Sequence, residues 1–114
     1  MTKILVLYDT WMMADAEDMW RVSFHEAIGD ELSDHEFVYV ENTAGSYKWS
    51  TDVADGVKEA YGNPDVIKKA IHTCEVVVSG YAPFTSEVME ASPSLRVIGI
   101  SRGGPVNVDQ GAAT

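Results

Sequence analysis

Apolar and polar positions alternate at two different scales along this chain. Short unbroken apolar runs, rich in branched residues, are separated by longer stretches in which apolar residues return every three or four positions. The first run is Lys3–Tyr8, "KILVLY". Its continuity is that of a strand covered on both faces. Residues 14–28 follow with helical spacing; Met19, Val22, Ala27 and Ile28 fall near one face, and Gly29 is a stop signal. Glu36–Val40 predicts a second strand. In "NPDVIKKAIHTC" Asn63 can cap a helix, Pro64 suits the first helical position and Asp65 suits the positive helix end. Val66, Ile67, Ala70 and Ile71 would be its buried face. Glu75–Ser79 predicts a third strand. Thr85 caps a short helix running to Ala91 and stopped by Pro93. Val97–Ile100 predicts a fourth strand, and Asn107 with Gln110 resembles a capping box opening a last helix. Residues 43–62 carry the weakest pattern: "TAGSYKW" is loop-like and "DVADGVKEAY" predicts at most a short helix.

Strands alternating with helices at this spacing predict βαβ units, hence an α/β fold with a parallel sheet and helices on both faces. Ligands of such sheets bind beyond the carboxyl ends of the strands. Three loops therefore qualify: 9–13, 80–84 and 101–106. The first, "DTWMMAD", has no glycine to bring backbone amides up to a phosphate. The helix behind it opens with Asp15, Glu17 and Asp18, which would repel one. A flavin or nucleotide site is therefore not expected there. Trp11, Met12 and Met13 read either as plugs of the core or as an exposed docking patch. In the third loop Ser101, Gly103 and Gly104 allow a tight turn with exposed amides, and Arg102 adds a fixed cation. Such a loop can hold a carboxylate, or it can be a plain strand-to-helix turn. Tyr81, in "GYAPF", either lines a pocket or covers the sheet edge.

Composition narrows the classes. A length of 114 residues with 46% hydrophobic content allows one domain with a real core. Eighteen acidic against eight basic residues give a formal charge of −10. Without a basic stripe, a nucleic-acid partner is not expected, and no apolar run is long enough to span a membrane. A single cysteine, Cys74, cannot form an internal disulfide, which fits a cytoplasmic setting. It reads as a small core residue. His25, His35 and His72 show no ligand spacing, so no metal site is expected. Asp9 at the end of the first strand is reminiscent of a phosphate-accepting receiver. That reading wants a lysine where Ser101 and Arg102 stand, so it is set aside.

The stretch from Glu75 to Thr114 resembles the matching part of the NAD-dependent D-isomer-specific 2-hydroxyacid dehydrogenases, in a subgroup akin to phosphoglycerate dehydrogenase. The residues in register are Thr85, Glu87, Val88, Glu90, Ala91, Pro93, Leu95, Val97, Ile98 and Gly99, then Gly103, Asn107, Val108, Asp109, Ala112, Ala113 and Thr114. The resemblance covers about the last forty residues. It implies a flavodoxin-like substrate-binding domain over residues 1–114, with strand order 2-1-3-4, incomplete relative to the family domain. It implies that Arg102, Gly103 and Gly104 hold the carboxylate of a small 2-hydroxy or 2-oxo acid, with Tyr81, Ala82 and Pro83 on the opposite wall. Arg102 and Pro105 depart from the family pattern and leave the acid open, 3-phosphoglycerate included; Pro105 has no N–H to donate. The family's catalytic arginine, glutamate and histidine and its dinucleotide fingerprint lie on a second domain. These 114 residues are therefore expected to carry no catalytic residue and no NAD site, and to be inactive alone. The missing NAD-binding domain is the expected partner. An exposed last strand is expected to permit self-association. The competing expectation is a self-sufficient, non-enzymatic module that binds a small carboxylate or a partner protein.

Overall fold

The computed structural model describes residues 2–101 and 106–113. It is an α/β structure around one four-stranded, all-parallel, open flavodoxin-like sheet in the order β2-β1-β3-β4. The strands are β1 (Thr2–Tyr8), β2 (His35–Glu41), β3 (Val76–Ser79) and β4 (Val97–Ile100). The helices are α1 (Ala16–Ile28), α2 (Pro64–Ile71), α3 (Ser86–Glu90) and α4 (Gln110–Ala113). From β1 the chain steps outward to β2, then passes back over β1 to β3. Crossovers of one hand made in opposite directions put α1 and α2 on opposite faces.

One face holds the main core. Leu5 and Leu7 of β1 and Val77 of β3 pack with Ile67 and Ile71 of α2, Val88 of α3, Cys74, Phe84 and Val108. Val38, Val40, Ile98 and Ile100 extend this face to both edges. Each fully buried aliphatic side chain here contributes about 1.5–3 kcal/mol. Two caps fix the helices of this face. Asn63 Oδ1 accepts from Asp65 N at 3.0 Å, with Pro64 at the first position of α2. Thr85 Oγ1 accepts from Val88 N at 3.3 Å.

Among the described residues α1 packs on the other face, and through a different stripe from the one the periodicity suggested. Its inward residues are Ala16, Trp20, Phe24 and Ile28, spaced by four. Phe24 lies 4.9 Å from Phe37 and 5.7 Å from Trp20, and the Arg21 guanidinium sits 3.9 Å above the Tyr39 ring. Met19 and Val22, expected inside, are 46% and 55% exposed, and Ala27 also faces solvent. The aromatic side chains of β2 decide this: they offer a large flat surface that Trp20 and Phe24 can match and Met19 and Val22 cannot.

Two further expectations are corrected. Residues 51–60 form turns around an Ala54–Val57 bridge instead of a helix. Asp55, Gly56 and Glu59 have φ of 53°, 81° and 50°, outside the helical region. Val57 and Ala60 anchor the segment by burial. At the C-terminal end Asn107 does not cap the last helix. α4 begins at Gln110, and Asp109 Oδ1 accepts from Ala112 N at 3.2 Å. Among the described residues, no helix is long and apolar enough to cross a membrane.

Candidate functional site

The chain leaves β1 at Asp9, which is only 7% exposed. Its carboxylate accepts from Asn42 Nδ2 at 2.8 Å and Trp11 Nε1 at 3.2 Å, and from the backbone amides of Gly80 and Tyr81. Burial is the largest influence on this group. It outweighs the four donors and pushes the carboxyl above its ordinary range. Asn42, at the end of β2 and itself 3% exposed, also donates to Tyr61 O at 2.7 Å. Asp9 thus joins the loops after β1, β2 and β3 at the point where strand order reverses, the usual ligand position of such sheets.

Gly80 permits this convergence. A Cβ there would lie 3.1 Å from Asp9 Oδ2 and 3.3 Å from Ser101 Oγ, so a side chain would crowd the Asp9 carboxylate and the Ser101 hydroxyl, which would have to give by a few tenths of an ångström. The loops after β3 and β4 are joined by Asn107, which is fully buried. Its Nδ2 donates to Ala82 O at 2.8 Å, with a longer contact to Gly80 O at 3.4 Å. Phe84 N donates to Asn107 O at 2.8 Å, and Asp109 N to Phe84 O at 2.9 Å.

Above this floor opens a groove of about 390 Å³. Met12, Met13, Met19 and Trp20, from the loop after β1 and from α1, line it together with Gly80 and Tyr81 after β3, the buried Asp9 and the exposed Ser101. Beside it, Trp11 stacks on Tyr61 at 4.4 Å and meets Tyr81 edge-on at 5.2 Å; Trp49 lies 5.8 Å from Tyr81. Trp11 is 37% exposed, so it caps the sheet end and is neither a core plug nor a free patch. Met12 and Met13 are exposed on the groove wall.

Of the six residues expected to bind substrate, Tyr81 lines the groove. Ala82 and Pro83 are buried and do not line it; Ala82 O accepts from Asn107 Nδ2. Arg102, Gly103 and Gly104, like Pro105, lie outside the described residues. Asn42 and Asn107 were not singled out from sequence as site residues. An Asn just past a strand gives no signal until its partners, 19 to 33 positions away for Asn42, are brought together. The loop after β1 does not fit NAD. It contains no glycine, and the buried Asp9 carboxylate stands where a pyrophosphate would approach. Among the described residues no group of three histidines, cysteines or carboxylates could hold a metal ion. Cys74 is buried, which raises its thiol.

Comparison with known proteins found no family whose model matches this chain, and no significantly similar curated protein or solved structure.

Proposed function

We propose that this chain is the substrate-binding part of an NAD-dependent oxidoreductase acting on a small D-2-hydroxy acid, and that the groove at the carboxyl end of the sheet receives the acid. The observation that carries this reading is the meeting of the loops after β1, β3 and β4 around one open groove, with Asn107 tying the loop after β3 to the segment that follows β4. The resemblance of residues 75–114 to the D-2-hydroxyacid dehydrogenases supplies the chemistry. In this reading the amides and guanidinium of Arg102, Gly103 and Gly104 hold the carboxylate, and Tyr81 orients the acid from the other wall. The acid is positioned by these 114 residues, and hydride transfer belongs to a separate NAD-binding domain.

Titration calorimetry tests the reading. A 2-oxo acid should bind and the corresponding alcohol, lacking the carboxylate, should not. Arg102→Ala should weaken the acid by about tenfold or more, the loss expected for a charge-assisted pair. Mixed with NADH and the same acids, the chain alone should turn nothing over. Equal affinity for acid and alcohol, or enzyme-dependent NADH oxidation by the chain alone, would overturn it.

A further inference from the structure

α1 occupies only part of the sheet face on which it packs. It lies over β1 and, through Phe24 and Arg21, over β2. The residues of β3 and β4 that point the same way are Val76, Val78, Val97 and Gly99, and none of them joins the main core on the opposite face. A Cβ on Gly99 would lie 3.0 Å from Val78 Cγ1, which sets these two on one surface. Val97 is 54% exposed and the other three are partly exposed, so no described element seals them from solvent. The space above them suits one helix. Strands lie about 4.8 Å apart, which puts the middle of the β3–β4 pair about two strand spacings from the middle of the β1–β2 pair. Packed helices sit about 8–10 Å apart, the same distance. The flank of α1 that faces β3 carries Ala16 and Ser23, with Met19 above them. Ala27, one turn beyond Ser23, is exposed on the same flank. These short side chains let a second helix lie close.

The charge beside this trough has one sign. Asp18 and Glu26 on α1 and Asp30 just after it are exposed, and among the described residues none of the three is ion-paired. Arg21 lies on the other flank, paired with Glu17 at 2.8 Å and stacked over Tyr39. The whole chain carries a formal charge of −10. Cationic groups on an incoming helix would therefore be drawn in and oriented by these carboxylates.

We propose that this trough docks an amphipathic helix of a partner protein, apolar on the face that meets β3 and β4 and carrying lysine or arginine on the edge that meets α1. A second copy of this chain is the poorer occupant. Its longest described helix is α1, whose exposed carboxylates would face those of the first copy. The inference is independent of the acid-binding reading, because the floor of the trough runs along β3 and β4 and not at their carboxyl ends.

Methyl NMR of the 114-residue chain at about 0.1 M salt reads the docking directly. The probe is a model peptide of about 15 residues, close to the length of α1, with a leucine stripe at helical spacing and lysine on both flanks. Its controls are the same peptide with glutamate in place of lysine, and a scrambled lysine peptide without the stripe. The lysine-flanked peptide should shift the Ala27, Val78 and Val97 methyls and leave Met89, on α3 across the sheet, unmoved. It should bind at least about tenfold more tightly than either control. Glu26→Lys, at an exposed helical position, should weaken the lysine-flanked peptide by about tenfold and improve the glutamate-flanked one. Ala27→Arg, also exposed, should block docking by bulk and charge while the backbone amide spectrum away from α1 stays unchanged. Equal binding of the scrambled peptide would reduce the effect to net charge and overturn the proposal. Equal binding of the glutamate-flanked peptide would overturn the basic partner. Shifts confined to residues outside the trough, or no shift with any peptide, would overturn the docking site itself.

Discussion

Asp9 is the residue on which most of the site converges. Its side chain touches the loops after β1, β2 and β3 together through hydrogen bonds. Its four donors stabilise the carboxylate, yet burial dominates and raises the carboxyl above its ordinary value of 3.8. The folded chain therefore holds this proton more tightly than the unfolded chain does. That contribution to stability is complete below the unfolded value, and it is lost as pH rises through the folded one. In Asp9→Asn the ionisation is absent, and one amide hydrogen faces a donor. The variant should be the less stable of the two at low pH, by about 1–3 kcal/mol for the mismatched donor. The gap should narrow as pH rises through the Asp9 titration. Carbon-13 NMR of the carboxyl with parallel urea melts checks both halves. A titration midpoint at or below the ordinary value, or a gap that widens with pH, would show that the hydrogen bonds win over burial.

At the scale of elements, α1 separates pattern from packing. Its inward stripe is Ala16, Trp20, Phe24 and Ile28, whereas apolar character alone pointed to Met19 and Val22. Phe24→Ala should cost about 1–3 kcal/mol by removing the contacts with Trp20 and Phe37. Val22→Gln should stay within about 0.5 kcal/mol. Chemical denaturation of both variants decides; equal costs would mean that Val22 is also engaged. The four strands and the caps at Asn63 and Thr85 were legible in the sequence because their signals are local: branched apolar runs, a proline at the first turn, a hydroxyl three residues before the amide it accepts from. What escaped depends on partners distant in sequence. The stripe of α1 is chosen by Phe37 and Tyr39 on β2, and Asn107 looked like a cap because its carbonyl partners lie 25 and 27 residues away. The turns of residues 51–60 hide behind a helical spacing that three positive φ values break. Of the site, the end of the sheet and Tyr81 could be read beforehand. The Asp9–Asn42 pair could not, since it does not exist until β1 and β2 lie side by side.

At the scale of the whole molecule, the two sheet edges are treated differently. β2 carries Glu36 and Glu41 on its outer course, both exposed, and charges of this kind discourage pairing with a second sheet. β4, at the other edge, reads Val97, Ile98, Gly99 and Ile100 without a charge, and Val97 is 54% exposed. Its outer backbone groups offer a template for another strand, and the simplest strand available is β4 of a second copy. Opposing this is the formal charge of −10, which sets two copies against each other over their whole surface. The balance depends on salt. At low ionic strength the repulsion is long-ranged and the chain should sediment as a monomer. At about 0.5 M salt the Debye length falls to a few ångströms, and self-association should appear at roughly millimolar concentration. Val97→Glu, which leaves the inner face of β4 untouched, should abolish it by opposing two carboxylates in one ladder. A monomer under all these conditions would show that the β4 edge is protected, and association that survives Val97→Glu would place the contact elsewhere.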